Sequence, residues 1–342
     1  MRTALAVTAT ILLTAAFLGW EFYLHRPYTP AIESGEAAVA SLEEIDLQGV
    51  KQTILIRGQD RAKPILLFLH GGPGMPMMFL AHEFQRDMER DFLIVHWDRR
   101  GAGKSFDAGI DYKPSVRETL DDLYALTEYL HQRFDPVRFY LVGHSWGSYL
   151  GMLAAHERPE LFTAYIGTGQ MAAGSEDIDA QRRAFFQQEA KARGDTEMLK
   201  RLDRGDEITE DDLFQYGAEL RDATSFWPIL EIGLLAPEYQ LEDILNVPKG
   251  SQRLNREMEY DVISGSLDAE LTEFQIPIYF LLGRHDWNEP SNLAALYLKE
   301  IEAPKKAVFW FEDSAHFPFL EQTDKFYETL LKIDRRMAHT GL

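Results

Sequence analysis

Apolar residues along this chain recur in two alternating rhythms. Short, nearly continuous runs occur at Pro64–His70, Phe92–Trp97, Phe139–Val142 and Ala164–Gly167, each bounded by Gly, Pro or charged residues. Runs of this length and density predict strands buried on both faces, as in a parallel sheet. Val50–Arg57 is a further β-rich run. Between them, Leu120, Leu123, Leu126 and Leu130 return at helical spacing within Val116–Arg133. Ser115 and Glu118 stand just ahead of that stripe as a capping box, which predicts a helix start there. Another helix is expected over Ser148–His156.

From about Gln170 to Glu270 the pattern changes to polar, acidic and helix-like. Strands return at Ile276–Leu282 and Lys306–Phe311, followed by a helix over Gln322–Met337. Strand–helix alternation interrupted by a helical block predicts an α/β fold, with a mostly parallel central sheet, helices on both faces and an inserted helical cap. The expected division is 1–30 for an N-terminal segment and tether, 31–169 with 270–342 for the core, and 170–269 for the cap.

Composition narrows the function classes. The 342 residues carry a formal charge of −20, which repels nucleic-acid phosphates and anionic lipid surfaces. The absence of cysteine excludes disulfides, thiolate metal sites and a thiol nucleophile. No H-x-x-x-H or H-E-x-x-H spacing points to a metal, and no cofactor is expected.

The amino terminus adds a location. Arg2 precedes an uncharged, apolar stretch from Thr3 to Trp20, whose 18 residues would span about 27 Å as a helix. Trp20, Phe22 and Tyr23 fit an interfacial belt. The stretch is expected to be an uncleaved membrane anchor with the following globular domain outside the cytoplasm. A cleaved signal peptide is the alternative. Arg26 to Gly35 reads as the tether.

Gly143-His144-Ser145-Trp146-Gly147 fits G-x-S-x-G between a buried strand and a helical segment. In that context a serine occupies a sharp turn that lifts its hydroxyl above the sheet edge. A serine hydroxyl needs a base, and the base an orienting acid. Asp286 follows the strand ending at Gly283, and His316 follows the last strand, so the order is Ser, acid, His. His285 precedes the acid and lies too near the strand end to be the base, while Asp313 is a rival acid. His144 reads as a packed histidine whose side chain points away from the site. Oxyanion donors are expected at the N–H of Trp146 and in the loop His70-Gly71-Gly72-Pro73-Gly74, with Gly72 preferred over Gly71. Asp98-Arg-Arg-Gly-Ala-Gly-Lys-Ser105 lacks the Walker spacing and reads as a hydrogen-bonded turn that buttresses the oxyanion loop.

Taken together, HGGPG, DRRGAGKS, GHSWGS, GRHD and a late histidine resemble the prolyl iminopeptidase family of α/β-hydrolases, over roughly 40–170 and 270–340. The resemblance implies an α/β-hydrolase fold, the triad Ser145, Asp286 and His316, and a helical cap over the site. It also implies removal of N-terminal residues, often proline, from short peptides or amides. The chain departs from the family in having His144 where Gly is usual and Arg99 where Gln is usual. Family members hold the substrate ammonium with cap glutamates, and Glu257 and Glu259 are the candidates in this cap. An esterase or lactonase acting on small acyl substrates is the alternative function. A non-catalytic membrane-tethered binding protein is the remote one.

Overall fold

The computed structural model describes residues 8, 10–17, 19, 29–107, 115–263 and 271–338, without the side chains of residues 257 and 259–263. Eight strands form one sheet: β1 (Val39–Leu47), β2 (Val50–Gly58), β3 (Ile65–Leu69), β4 (Leu93–Asp98), β5 (Phe139–His144), β6 (Ala164–Thr168), β7 (Ile278–Gly283) and β8 (Lys306–Phe311). Their spatial order is β1-β2-β4-β3-β5-β6-β7-β8. β1 and β2 pair antiparallel, β2 runs antiparallel to β4, and every pairing from β4 to β8 is parallel.

The dense apolar runs have a direct physical reading. Every residue of β3, β4, β5 and β6 is buried, because helices cover both faces of the sheet. Alternate residues feed two separate cores: Leu67, Val95 and Leu141 point to one, and Leu66, Ile94 and Val142 to the other. The sequence pattern missed β1. It is the edge strand, with only its end residues Val39 and Leu47 buried, so Glu43, Glu44 and Asp46 break any apolar run.

Helix α1 (Val116–Phe134) begins at the expected capping box, Ser115 accepting from the Glu118 N–H. Helix α2 (Trp146–Glu157) starts two residues before the expected position, directly after Ser145. Among the described residues, five helices lie between β6 and β7: α3 (Ser175–Arg193), α4 (Thr196–Arg204), α5 (Glu210–Gln215), α6 (Trp227–Leu235) and α7 (Leu241–Ile263). Helices α8 (Ser291–Glu300), α9 (Pro318–Glu321) and α10 (Thr323–Ala338) complete the chain.

β3 lies between β4 on one side and β5 on the other, so the winding of the chain reverses there. A crevice opens at the carboxyl ends of strands where the order reverses, and ligands bind there in such sheets. The loop after β3 is His70–Gly74 and the residue after β5 is Ser145.

Helix α7 rests on the core beside this crevice. A Cβ on Gly74 would lie 2.7 Å from Ser251 Cα, and one on Gly250 would lie 2.5 Å from the Gly101 carbonyl oxygen. The Lys104 ammonium pairs with Asp243 at 2.6 Å.

Residues 10–17 are helical, with Ile11, Leu12, Leu13 and Phe17 exposed. Among the described residues no helix is long and apolar enough to cross a membrane. Much of the expected anchor, and the start of the tether, lies outside the described residues.

Candidate active site

Ser145 is held at φ 53°, ψ −127°, a left-handed conformation that costs a non-glycine residue free energy. Its surroundings fix it there. The Ser145 N–H donates to the Thr168 carbonyl at 3.2 Å. Its own carbonyl accepts from the Ser148 N–H at 2.7 Å and the Ser148 hydroxyl at 2.6 Å. The turn also needs its small neighbour: a Cβ on Gly147 would sit 2.2 Å from the Leu69 carbonyl oxygen.

The loop after β3 closes on the serine from the other side. A Cβ on Gly71 would lie 2.8 Å from Ser145 Cβ and 3.3 Å from Ser145 Oγ. The Gly71 carbonyl accepts the Met75 N–H at 3.2 Å, which folds the loop back on itself. The Gly71–Gly72 peptide is trans, so its N–H points away from that bonded carbonyl. Gly72 lines a cavity of about 540 Å³ together with Ser145, His144 and His316. Trp146 opens helix α2, so its N–H is one of the donors that an α-helix leaves unpaired at its amino end.

Arg99 supports that loop from below. Its Nη2 donates to the carbonyls of His70 at 2.8 Å and Pro73 at 2.7 Å, with the Gly71 carbonyl at 3.2 Å. Next to it, Arg100 pairs with the buried Asp122 at 2.6 Å, and the Asp98 carboxylate accepts the Lys104 N–H at 2.8 Å. The turn that follows β4 is therefore the buttress its sequence suggested.

Asp286 and His316 meet although 30 residues separate them. The Asp286 Oδ2 lies 2.9 Å from His316 Nδ1, and both residues are only 2% exposed. The other Asp286 oxygen accepts the Glu289 N–H at 2.9 Å. Asp313 is exposed, and His285 donates its backbone N–H to the Ser314 carbonyl at 2.9 Å. Burial alone would lower the His316 pKa; Asp286, Glu219 and Glu289 override it and push it up to about 9.

His144 differs from its expected direction. Its Nε2 lies 3.1 Å from the His316 carbonyl oxygen, and its ring centroid is 4.7 Å from that of His316. It packs under the histidine loop rather than away from the site. Burial first, then His316, keeps its pKa well below the usual imidazole value.

A group of acids was not singled out from sequence. Glu219, in the segment after α5, gives its carbonyl to the His316 N–H at 3.0 Å and lines the cavity. Its Oε2 is buried and has no hydrogen-bond partner among the described residues. Burial pushes this carboxyl up to about 7, against the pull of His316. Glu210 and Asp211 line the same cavity. Glu289, partly exposed as a residue but enclosed about its carboxyl, is likewise pushed up to about 7 by burial. The side chains of Glu257 and Glu259 lie outside the described residues; their backbones belong to α7.

The comparisons agree with this fold. The model of the alpha/beta hydrolase fold family matches residues 64–323, the span from β3 into the terminal helix. The chain belongs to that family, and it is a hydrolase. A probable aminopeptidase of Bacillus subtilis, YbaC, is 29% identical over 305 residues, covering 86% of this chain and 96% of its own. The proline iminopeptidase of Chitinophaga pinensis is 31% identical over 116 residues, 32% of this chain and 36% of its own. The crystal structure of the Mycobacterium smegmatis proline iminopeptidase superposes with a TM-score of 0.61 at 17% identity, over 88% of this chain and all of the other. The resemblance carried by the HGGPG and GHSWGS motifs thus extends along most of the chain.

Proposed function

We propose that the chain is a serine hydrolase acting through an acyl-enzyme on substrates with a free amino group, as an aminopeptidase of short peptides or amides. In this reading His316 Nε2 takes the proton from Ser145 Oγ as the oxygen attacks the substrate carbonyl. The resulting oxyanion accepts the N–H groups of Gly72 and Trp146. His316 then gives its proton to the departing amine, and water attacks the acyl-Ser145 by the same route in reverse. Asp286 holds the imidazole in one tautomer and stabilises its charged form.

The observation that carries the substrate class is the unpartnered, buried carboxyl of Glu219 at the wall of the cavity, with Glu210 and Asp211 beside it. A buried carboxyl without a donor is costly unless a cation completes it. An ammonium on the acyl residue of the substrate is such a cation. The cavity also offers Met77, Leu80, Phe226 and Ile229 for an apolar side chain.

Hydrolysis rates of an aminoacyl-arylamide, its N-acylated form and an aryl ester of the same acyl group test this. We expect the free amine to be preferred by a factor of about 100 in kcat/KM, and the preference to collapse in Glu219→Gln. N-blocked substrates cleaved as fast as free amines would replace the aminopeptidase with an esterase or lactonase. Fluorophosphonate labelling that persists in Ser145→Ala would overturn the serine hydrolase itself.

The uncharged Thr3–Trp20 stretch enters the same reading as a membrane anchor that keeps the catalytic domain outside the cytoplasm. Carbonate extraction of membranes from expressing cells tests it: an anchored chain stays in the pellet, and a released one refutes the anchor.

A further inference from the structure

Arg99 is one of the best-buried cations in the molecule and lacks a salt-bridge partner among the described residues. It is 2% exposed, and its polar contacts are neutral: three carbonyls of the loop after β3 and the His70 ring. Burial lowers its pKa to about 9 against the pull of Asp98, so it stays charged at neutral pH. Asp98 itself is engaged elsewhere, by the Lys104 N–H at 2.8 Å and by the Tyr239 hydroxyl. His70 is held neutral, by burial first and by Arg99 second. The guanidinium carbon lies 4.6 Å from the centre of the Trp146 ring. One Arg99 nitrogen, Nη1, is buried without a hydrogen-bond partner among the described residues.

The placement matters because of which side of the peptides the charge occupies. The guanidinium touches the carbonyl oxygens of His70 and Gly71. Both peptides are trans, so the N–H groups of Gly71 and Gly72 leave on the opposite side. The Gly72 N–H makes no hydrogen bond to the described residues. A cation at the oxygen end of an amide polarises it and makes its N–H a stronger donor. The same guanidinium packs on the indole of Trp146, the residue whose N–H is the second donor. It therefore touches both halves of the oxyanion site without touching substrate.

We propose that Arg99 is a positioning residue for the oxyanion hole: it pins the loop from His70 to Pro73 against Trp146 and, by its buried charge, sharpens the Gly72 N–H as a donor to the developing oxyanion. The proposal rests on the serine hydrolase reading above. Gln in place of Arg can hold one or two of the carbonyls but supplies no net charge. Met supplies neither, and Lys supplies charge without the fork.

The experiment compares Arg99→Gln, Arg99→Met and Arg99→Lys with the parent full-length chain, using an arylamide substrate and a trifluoromethyl ketone that forms an oxyanion with the serine. We expect kcat to fall about 10-fold in the Gln variant and about 100-fold in the Met variant, with KM changed less than about threefold. The ketone inhibition constant should rise in step with the loss of kcat. Lys should recover part of both. A merely structural arginine would lower the urea midpoint and leave the ketone-to-substrate ratio alone. If Met does not fold, the Gln and Lys variants decide. An unchanged ketone constant in Arg99→Gln overturns the proposal, whatever the stability shows. Failure of the hydrolase reading is visible separately, as parent chain that neither cleaves substrate nor loses labelling in Ser145→Ala.

Discussion

Replacing Gly71 by alanine tests how tightly the loop after β3 is fitted to the serine. The new methyl would lie 2.8 Å from Ser145 Cβ, 3.3 Å from its Oγ and 3.4 Å from the His144 carbonyl oxygen. Carbon atoms at optimal contact are about 3.5–4.0 Å apart, so relief requires roughly 1 Å of movement. Neither side yields easily. The serine is tied through its N–H to Thr168 and through its carbonyl to Ser148, while the loop is tied to Arg99 and Met75. A misplacement of about 1 Å between nucleophile and oxyanion donors costs about 100-fold in rate, or about 2.7 kcal/mol of transition-state stabilisation. The overlap should also lower stability by about 1–3 kcal/mol. Stopped assays of kcat/KM, fluorophosphonate labelling rates and urea melts on Gly71→Ala separate the two effects. A variant whose kcat/KM stays within about threefold of the parent, with an unchanged urea midpoint, refutes the tight fit and with it the placement of the hole.

The raised pKa of His316 makes a second prediction. The base works only when neutral, so kcat/KM for an uncharged ester should climb with pH towards about 9. Glu219→Gln removes a negative charge that favours the imidazolium, so the limb should move to lower pH by about one unit, read from the pH profile; an unmoved limb would detach Glu219 from His316. Asp286→Asn leaves the His316 Nδ1 facing an amide in place of a carboxylate, and kcat should fall by about 10,000-fold with little change in KM, measured by burst and steady-state kinetics. Asp122→Ala removes the buried carboxylate that pairs with the Arg100 guanidinium at 2.6 Å, and should cost about 3–5 kcal/mol in urea unfolding.

The candidate site residues of the core were legible because they are tied to strand ends. Ser145, Asp286 and His316 each stand just beyond a dense apolar run, and such runs can be read without tertiary information. The glycines around Ser145 were legible for the same reason, since close approach at a strand–helix turn demands them. The acids of the cavity were not. Glu219 follows a short helix in a region dense with carboxylates, and nothing local distinguishes an inward acid from a solvated one. Its role depends on the His316 N–H, which is 97 positions away and reaches it only after β7 and β8 join the sheet. β1 was missed for a different reason: an edge strand buries too little to leave an apolar run. His144 was misdirected because an elbow residue was expected to face outward, whereas the loop bearing His316 folds over it.

The seat of helix α7 on Gly74, with Lys104 bound to Asp243 behind it, bears on how such enzymes diversify. The helical segment between β6 and β7 is not an independent module laid over a finished core. Helix α7 and the glycine loop touch so closely that a methyl added on Gly74 would lie 2.7 Å from Ser251 Cα. Exchanging this segment for that of another hydrolase would import a new contour against the loop. A chimaera carrying another protein's segment would distort the loop beside Ser145 unless residues 71–74 and 98–105 travelled with the graft.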